Sequence, residues 1–326
     1  MNNPLISILI PFKDAEDTLE RALESCINQT YGNLEIILSD DGSSDSSKEI
    51  VKAFMKRDGR IRLIDNKGKG LSDGRNTLIS ESKGDYITFL DSDDALTLDA
   101  VSKMFEALVS NGADVVSAGY YLCKRGTPST KTPVLTEAFC SNNKAEIHKY
   151  QLINCNNRCY VWGRLYKREL FDNIEFPKGM SYEDIYVTPQ ILENTACFVS
   201  IKEPVYYYIL RNNSVTFSSK LTNHMDGIKA RNHCDEFYNN NYPMLYGFSL
   251  DVSLNYGFYL LGKIKNLGKK NHTKEWDEAV AFIREKEKGA TTNGTFLKLG
   301  LLLFHISPNL AGFLFNKYSV IKNRIR

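Results

Sequence analysis

Hydrophobic and polar positions along the first half of the chain form alternating blocks. Four short, nearly continuous apolar runs, typical of strands covered on both faces, lie at Leu5–Ile10, Leu34–Leu38, Ile61–Ile64 and Tyr86–Leu90. Segments with apolar residues at helical spacing lie between them, at Ala15–Gln29, Ile50–Met55 and Thr77–Ser82. We expect Pro11 to end the first strand. The alternation predicts an α/β fold with a mostly parallel sheet flanked by helices.

After residue 110 this alternation is lost. Extended segments are predicted at Asp114–Leu122 and Tyr206–Arg211, and three long helical patterns at Met225–Asn239, Leu245–Ile264 and Lys274–Lys286. We therefore expect two halves of one α/β domain, residues 1–110 and 111–217, followed by a helical region at 218–326.

Composition narrows the class of protein without identifying it. The 326 residues are 42% hydrophobic and 25% charged, as in ordinary globular proteins, and the net charge of +2 gives no sign of nucleic-acid binding. Seven scattered cysteines without a C-x-x-C pair predict reduced thiols and a cytoplasmic location. The start of the chain lacks the pattern of a signal peptide, and no apolar run is long enough to predict a membrane-spanning helix.

The stretch that follows the fourth strand is rich in acids. Asp91, Asp93 and Asp94 lie close together, and none of residues 84–102 is Lys or Arg. On extended backbone Asp91 and Asp93 point the same way, and like charges so close favour a bound cation. A divalent metal ion with oxygen ligands fits this need. The alternative is helix capping before a helix that starts near Ala95, which is the role we expect for Asp94.

Three strand-to-helix segments are predicted to meet at one edge of the sheet. The carboxyl ends of parallel strands lie together, which groups Pro11–Asp14, Ser39–Asp45 and Asp91–Asp94. The second segment lacks the spacing of a dinucleotide fingerprint or a P-loop, but its acids can accept hydrogen bonds from a base and a ribose. A turn followed by a helix N-cap is the alternative. A phosphate would then require a metal or an arginine, and Arg75 is near in sequence.

Five ordered motifs make the chain resemble the family 2 glycosyltransferases from residue 5 to about residue 217. The motifs are Ser7–Pro11, Asn28–Tyr31, Glu35–Asp45, Gly74–Asn76 and Gly84–Asp94. The resemblance implies a GT-A fold, an inverting reaction, a nucleotide-diphosphate sugar donor and Mn²⁺ or Mg²⁺ as cofactor.

The resemblance also implies roles for the matching donor-side positions. Asp41 would contact the base, usually uracil, with Arg75 close to it, and Asp91–Asp93 would meet the ribose and the metal. The family often has an aromatic residue shortly after the first proline, where this chain has Phe12-Lys13-Asp14, so Lys13 is instead available to phosphate or base oxygens. Donor contacts are thus expected at Pro11, Lys13, Asp14, Asp41, Arg75, Asp91 and Ser92, and metal ligation at Asp93 and Asp91.

On the acceptor side, Glu183 and Asp184 open a predicted helix. The resemblance implies that Asp184 is the general base, which would take the proton of the acceptor hydroxyl opposite the departing diphosphate. Without the resemblance, both would be first-turn acids that complement a helix dipole. Trp162 is either a platform for a sugar ring or part of the core. Arg211, in an R-x-x-S sequence after an aromatic strand, would reach the diphosphate.

The C-terminal region contains two apolar segments, Phe296–Phe304 and Leu310–Phe315, followed by four basic residues at Lys317, Lys322, Arg324 and Arg326. An interfacial anchor that meets anionic lipid would have this pattern. A pair of short helices that bury a core or a homo-oligomer face is the alternative.

These expectations combine into one leading hypothesis and two alternatives. The leading hypothesis is transfer of a single sugar from a UDP-sugar to a glycan or lipid-linked oligosaccharide acceptor during synthesis of a bacterial surface polysaccharide. The chain would be cytoplasmic, or peripheral on the inner face of the plasma membrane. One alternative is a sugar-phosphate nucleotidyltransferase, although Pro11–Asp14 is not the basic glycine-rich loop that such an enzyme would use. The other is an inactive nucleotide-sugar-binding subunit of a complex, although Asp91, Asp93 and Asp184 are all present.

Overall fold

The computed structural model describes residues 3–123, 131–154, 159–210, 221–292 and 294–315. The chain divides into two compact units, Met1–Ile147 with Asn154–Ser214 and His148–Ile153 with Val215–Arg326. The described strands are β1 Ile6–Phe12, β2 Leu34–Asp40, β3 Ile61–Asp65, β4 Tyr86–Phe89, β5 Ala95–Leu96, β6 Val115–Cys123, β7 Lys131–Val134, β8 Phe139–Ser141, β9 Arg164–Lys167 and β10 Phe198–Ile209. The described α-helices are α1 Leu19–Ile27, α2 Ser47–Arg57, α3 Leu71–Glu81, α4 Ala100–Asn111, α5 Lys144–Ile153, α6 Glu183–Asn194, α7 Leu221–Asn241, α8 Pro243–Leu267, α9 Thr273–Lys286 and α10 Thr295–Ile306. Residues 308–315 are also helical.

The first unit is an α/β arrangement built on one sheet, as the sequence predicts, and the sheet is mixed, with both parallel and antiparallel pairs. The strand order is β3-β2-β1-β4-β9-β6-β10-β5, with β7 on β6 and β8 on β10. Strands β1 to β4 pair in parallel, whereas β9 is antiparallel to both β4 and β6. Because β9 lies between β4 and β6, the sheet continues from the parallel half into the second half. Strands β1 and β2 are buried at every position, which explains their continuous apolar runs.

Two boundaries differ from the predictions around the first strand and the third helix. Strand β1 does not end at Pro11 but continues through Phe12, which pairs with Asp40 in parallel. A proline has a φ angle compatible with extended backbone, and the Phe12 carbonyl still accepts a hydrogen bond from the Asp41 amide at 2.9 Å. Helix α3 begins at Leu71, six residues earlier than predicted, so Arg75 lies on a helix.

The expected helix start near Ala95 is wrong. Ala95–Leu96 forms the short strand β5, antiparallel to β10, and helix α4 begins only at Ala100. Asp94 therefore does not cap a helix. A hydrogen bond from the Thr97 amide to the Val205 carbonyl, at 2.9 Å, helps to hold this segment against β10 instead.

The second unit is helical, as the sequence predicts, with a core of its own. Its helices bury a cluster of mostly aromatic and branched side chains that includes Leu254, Phe258, Ile264, Trp276 and Phe282. Helix α10 adds Leu297, Leu301 and Phe304 to the same cluster, and the helical residues 308–315 add Ala311 and Phe315. Within the part of the chain that the structure describes, no helix is both long and apolar enough to cross a membrane.

Candidate active site

The loop after β2 is held in one conformation by hydrogen bonds to the acid at its start. Asp41 Oδ1 accepts hydrogen bonds from the Gly70 amide at 2.6 Å and from Asn66 Nδ2 at 3.1 Å. Gly42 has a φ angle of 76°, and a Cβ atom there would lie 3.3 Å from the Gly68 amide nitrogen. Glycine is therefore required by both the backbone angle and the close approach of the 66–70 loop. Asp41 Oδ2 makes no hydrogen bond to the described residues and is available to a ligand.

The segment after β1 is bonded to the same loop. Asp14, with a φ angle of 45°, accepts hydrogen bonds at Oδ1 from the Ser44 amide at 2.8 Å and the Ser44 hydroxyl at 3.1 Å. Its own amide donates to Ser43 Oγ at 3.0 Å. Pro11 is buried at the base of this segment, and Lys13 is exposed. Two of the three predicted loops are thus brought together, with Asp14 as the residue that joins them.

The third loop carries the acids that follow β4. Asp91, Ser92 and Asp93 are all partly exposed at the edge of the sheet. Burial raises the pKa of Asp91 to about 6, with the Arg75 charge opposing this and the Asp93 and Glu183 charges adding to it. Arg21 on α1 donates a hydrogen bond from its guanidinium to the Asp93 carbonyl at 2.6 Å, which fixes the backbone of this loop.

Arg75 joins this loop to the start of helix α6. Its side chain is only 5% exposed, and its guanidinium forms ion pairs with Asp91, at 3.3 Å, and with Glu183. The guanidinium also lies over the ring of Phe176, 5.7 Å from the centroid. Arg75 Nε is buried without a hydrogen-bond partner among the described residues. Asp91 and Glu183 are far apart in sequence, and one buried cation holds them at the same site.

Asn76, the residue after Arg75, reinforces this connection. Its side-chain amide donates to the Phe176 carbonyl at 2.9 Å and accepts from the Phe176 amide at 2.8 Å. Such a two-point contact to the backbone fixes the segment that leads to α6. The Gly74–Asn76 motif therefore positions the second half of the site, a role that its sequence alone does not reveal.

Helix α6 presents its two first-turn acids to different surroundings. Glu183 is buried and faces Arg75, whereas Asp184 is partly exposed. Tyr182, directly before them, has a φ angle of 63°, which is strained for a tyrosine and sets the direction in which the helix begins. Burial raises the pKa of Asp184 to about 7, with the Glu183 charge adding to this and the Arg75 charge opposing it.

Asp94 has a role that differs from the predicted cap. Its Oδ2 accepts a hydrogen bond from the Tyr206 hydroxyl at 2.8 Å, and its Oδ1 accepts one from the Ile209 amide at 2.8 Å. The Tyr206 hydroxyl in turn accepts a hydrogen bond from the Asp91 amide at 3.2 Å. Asp94 is 1% exposed, and burial together with the Asp93 and Asp91 charges holds its pKa well above the usual value. It ties the acidic loop to strand β10.

Trp162 lies in an aromatic stack. Its ring is 4.5 Å from Tyr206 on one side and 4.4 Å from Tyr160 on the other, and both pairs are stacked. Trp162 is 7% exposed, whereas Tyr160 is 38% exposed. Tyr160 is therefore more exposed than Trp162, and it has no distinctive sequence signal. Arg211 lies outside the described residues.

The acids of the third loop fit a divalent metal ion that arrives with a diphosphate. Among the described residues, no group of three or more His, Cys, Asp or Glu side chains could hold a metal by itself. Mg²⁺ is commonly bound by about one or two carboxylates together with substrate phosphates and water. Asp91 and Asp93 supply that number of carboxylates, and both are partly exposed at the edge of the sheet.

Comparisons with known proteins identify the family of the chain. The family profile described as Glycosyl transferase family 2 matches residues 7–175. The chain is 30% identical over 223 residues to the glycosyltransferase GlyA of Streptococcus pneumoniae serotype 4, and 32% identical over 222 residues to EpsJ, an uncharacterised glycosyltransferase of Bacillus subtilis strain 168. Each match covers 65% of this chain, but only 31% of GlyA and 63% of EpsJ.

Two solved structures share the fold. The crystal structure of Staphylococcus aureus TarS 1–349 in complex with UDP-GlcNAc has a TM-score of 0.65 and 15% identity, and the likeness covers 97% of this chain and 92% of that one. The mannosyltransferase PcManGT of Pyrobaculum calidifontis, in complex with GDP-Man and Mn²⁺, has a TM-score of 0.53 and 14% identity, with coverage of 98% and 88%. The GT-A fold expected from the sequence is confirmed.

Proposed function

The chain belongs to glycosyl transferase family 2, and we propose that it is an inverting enzyme that transfers a single sugar from a UDP-sugar to a hydroxyl group of a glycan acceptor. The acceptor would be a lipid-linked oligosaccharide of a cell-surface polysaccharide. A lipid-linked acceptor would make the protein peripheral on the inner face of the plasma membrane.

The observation that carries the proposal is the ion-pair bridge made by Arg75. Asp91 lies in the loop that would receive the diphosphate, and Glu183 precedes the candidate base, Asp184. An in-line displacement needs a leaving-group site and a base held in fixed relation on either side of the sugar. One buried guanidinium that contacts both segments supplies that relation.

Each residue then has one task. Asp41, through its available Oδ2, would accept a hydrogen bond from the base of the nucleotide. Asp91 and Asp93 would hold Mn²⁺ or Mg²⁺, which when bound offsets negative charge on the diphosphate. Asp184 would take the proton of the acceptor hydroxyl, whose oxygen forms the new bond to the anomeric carbon while the bond from that carbon to the diphosphate oxygen breaks. The leaving group departs as UDP.

The raised pKa of Asp184 supports its assignment as the general base. A general base works best when its pKa is near the working pH, and burial raises that of Asp184 to about 7. The backbone of Tyr182 and the two hydrogen bonds between Asn76 and Phe176 fix the start of α6. The Asp184 carboxylate is therefore already positioned before the reaction begins.

The proposal is tested by measuring UDP release from a panel of UDP-sugars, with GDP-sugars for comparison, in the presence and absence of Mn²⁺. We expect metal-dependent release from at least one UDP-sugar, loss of release in Asp93→Ala, and unchanged release in Asp172→Asn, a matched control because Asp172 is 57% exposed in a surface ion pair.

The same assay separates the alternatives. A nucleotidyltransferase would instead produce pyrophosphate from a nucleoside triphosphate and a sugar phosphate. An inactive subunit would bind a nucleotide sugar without turnover under any metal condition. Either result would overturn the proposal.

A further inference from the structure

A row of apolar side chains lies exposed along the C-terminal helices of the second unit. Leu299, Leu302 and Ile306 follow one another at three- and four-residue spacing on α10, so they lie on one face of that helix. Their exposed fractions are 41%, 59% and 67%. Leu310 and Phe313, at 43% and 46%, are the exposed apolar residues of the helical segment that follows.

The opposite face of α10 packs into the core of the second unit. Leu297, Gly300, Leu301 and Phe304 are buried in the core of the unit. One face of the helix thus packs into a core, as one of the two sequence-based alternatives expects, while the other face remains exposed. We name the row Leu299, Leu302, Ile306, Leu310 and Phe313 the exposed apolar row.

Lysine side chains lie beside the exposed apolar row. Residues 288–326 contain six Lys or Arg residues and no Asp or Glu. Lys298 is exposed next to the row on α10. Two further cations lie beside its far end: Lys265 Nζ is 5.2 Å from the Phe313 ring centroid, and Lys269 Nζ lies 3.4 Å from Asn309 Oδ1. The acid on this side is Glu287, whose carboxylate is 2.8 Å from His305 Nε2.

We propose that the exposed apolar row and its surrounding cations are a docking surface for a membrane rich in anionic phospholipid. Apolar side chains would enter the boundary between headgroups and acyl chains, and the lysines would contact the phosphates. Helix α10, with 12 residues, is about 18 Å long and would lie along the surface rather than cross a bilayer of about 30 Å.

Charge favours lipid over a second copy of the chain. A symmetric dimer through this face would place Lys265, Lys269 and Lys298 against the same cations of the second copy, while Glu287 on this side already contacts His305. An anionic surface supplies the missing negative charge. The proposal extends the proposed function, but its test measures binding without turnover, so either can fail while the other holds.

The test is flotation of the full chain with vesicles of phosphatidylcholine alone or mixed with phosphatidylglycerol. We expect binding to the mixed vesicles that weakens as salt is raised, because ions screen the headgroup charge. The double variant Leu302→Glu/Ile306→Glu should lower the bound fraction by about tenfold. The matched control Leu98→Glu/Val109→Glu changes residues that are 61% and 54% exposed in the first unit and should bind as the wild type does.

A second variant, Lys298→Glu, separates lost charge from lost folding, because an exposed lysine contributes little to stability. It should weaken binding to the mixed vesicles and leave the circular dichroism spectrum and the rate of UDP release unchanged. Equal binding by the wild type and the double variant would overturn the proposal. An absence of vesicle binding by the wild type would also overturn it. If the wild type then sediments as a dimer and the double variant as a monomer, the row is a dimer interface instead.

Discussion

At the scale of single residues, Glu183 and Asp184 show how one turn of helix gives adjacent acids different chemistry. Glu183 is buried against a guanidinium as part of an ion pair. Asp184 forms no ion pair with the residues that the structure describes, and burial raises its pKa to about 7. The sequence pair alone predicts neither difference, because the ion pair depends on Arg75, which lies 108 residues before Glu183, and the pKa shift depends on burial in the folded chain.

The raised pKa of Asp184 predicts a pH dependence. The carboxylate form, which accepts the proton, is lost as the pH falls through about 7. We therefore expect kcat/KM to fall about tenfold for each pH unit below that value, measured as UDP release at saturating metal.

Asp184→Asn should remove this dependence along with the base itself. We expect kcat to fall by about a hundredfold to ten-thousandfold, with donor affinity measured by calorimetry close to that of the wild type. Wild-type transfer by this variant would rule out Asp184 as the base.

Arg75→Ala should be strongly destabilising, because it leaves Glu183 buried without its charge partner. Removing one partner of a buried ion pair costs about 3–5 kcal/mol in the free energy of unfolding. Arg168→Ala is the control, since its guanidinium pairs with Asp172 where both side chains are exposed, at 40% and 57%, and such surface pairs contribute about 0–1 kcal/mol. Urea unfolding of the three proteins measures both values, and similar losses for the two variants would contradict the structural role of Arg75.

At the scale of elements, the strands and helices of the first unit were largely predictable and the contacts between distant elements were not. Strands β1 to β4 follow from continuous apolar runs, and the three long helices of the second unit follow from apolar periodicity. The error at Asp94 has a clear cause. Capping is a local preference, but the Asp94 carboxylate is bonded to Tyr206 and Ile209, more than a hundred residues later.

In the candidate site, too, the sequence predicted local features but not the contacts between distant residues. Its acids were identified in the sequence because they follow strands whose carboxyl ends meet. Other contacts depend on how β9 and α6 pack, and no sequence pattern predicts that packing. They are the ion pair between Arg75 and Glu183, the hydrogen bonds between Asn76 and Phe176, and the exposure of Tyr160 instead of Trp162.

Tyr206→Phe tests the connection between β10 and the acidic loop. The variant removes the hydroxyl that donates to Asp94 and accepts from the Asp91 amide. An unsatisfied buried polar group costs about 1–3 kcal/mol in the free energy of unfolding. We also expect UDP release to be stimulated less by Mn²⁺ than in the wild type, because the Asp91 amide loses its hydrogen bond to the Tyr206 hydroxyl. Tyr207→Phe, in the next position of the strand, should change neither quantity.

At the scale of the whole molecule, the second unit contains a buried ion pair of its own. Lys286 Nζ lies 3.1 Å from Asp235 Oδ2, and both side chains are almost fully buried. Ser249 and Ser253 donate hydrogen bonds to the same carboxylate. These contacts link α7, α8 and α9 within the unit.

Asp235→Ala should therefore destabilise the second unit by about 3–5 kcal/mol, because Lys286 would be left buried and uncompensated. Glu285→Gln is a matched control, since Glu285 contacts the same ammonium group but is 66% exposed. Calorimetric unfolding of the full chain measures both effects, and an equal loss in the control would contradict the assignment.

The ion pairs of Arg75 with Asp91 and Glu183 would connect the binding of the two substrates. A cation at Asp91 would compete with Arg75 for that carboxylate and leave the guanidinium more fully to Glu183, beside Asp184. Donor and acceptor sites connected in this way are thermodynamically linked, and linkage is reciprocal: if the metal–donor complex changes acceptor affinity by some factor, the acceptor changes donor affinity by the same factor. The one guanidinium would thus couple the affinities of the two substrates, by the same factor whichever of them enters first.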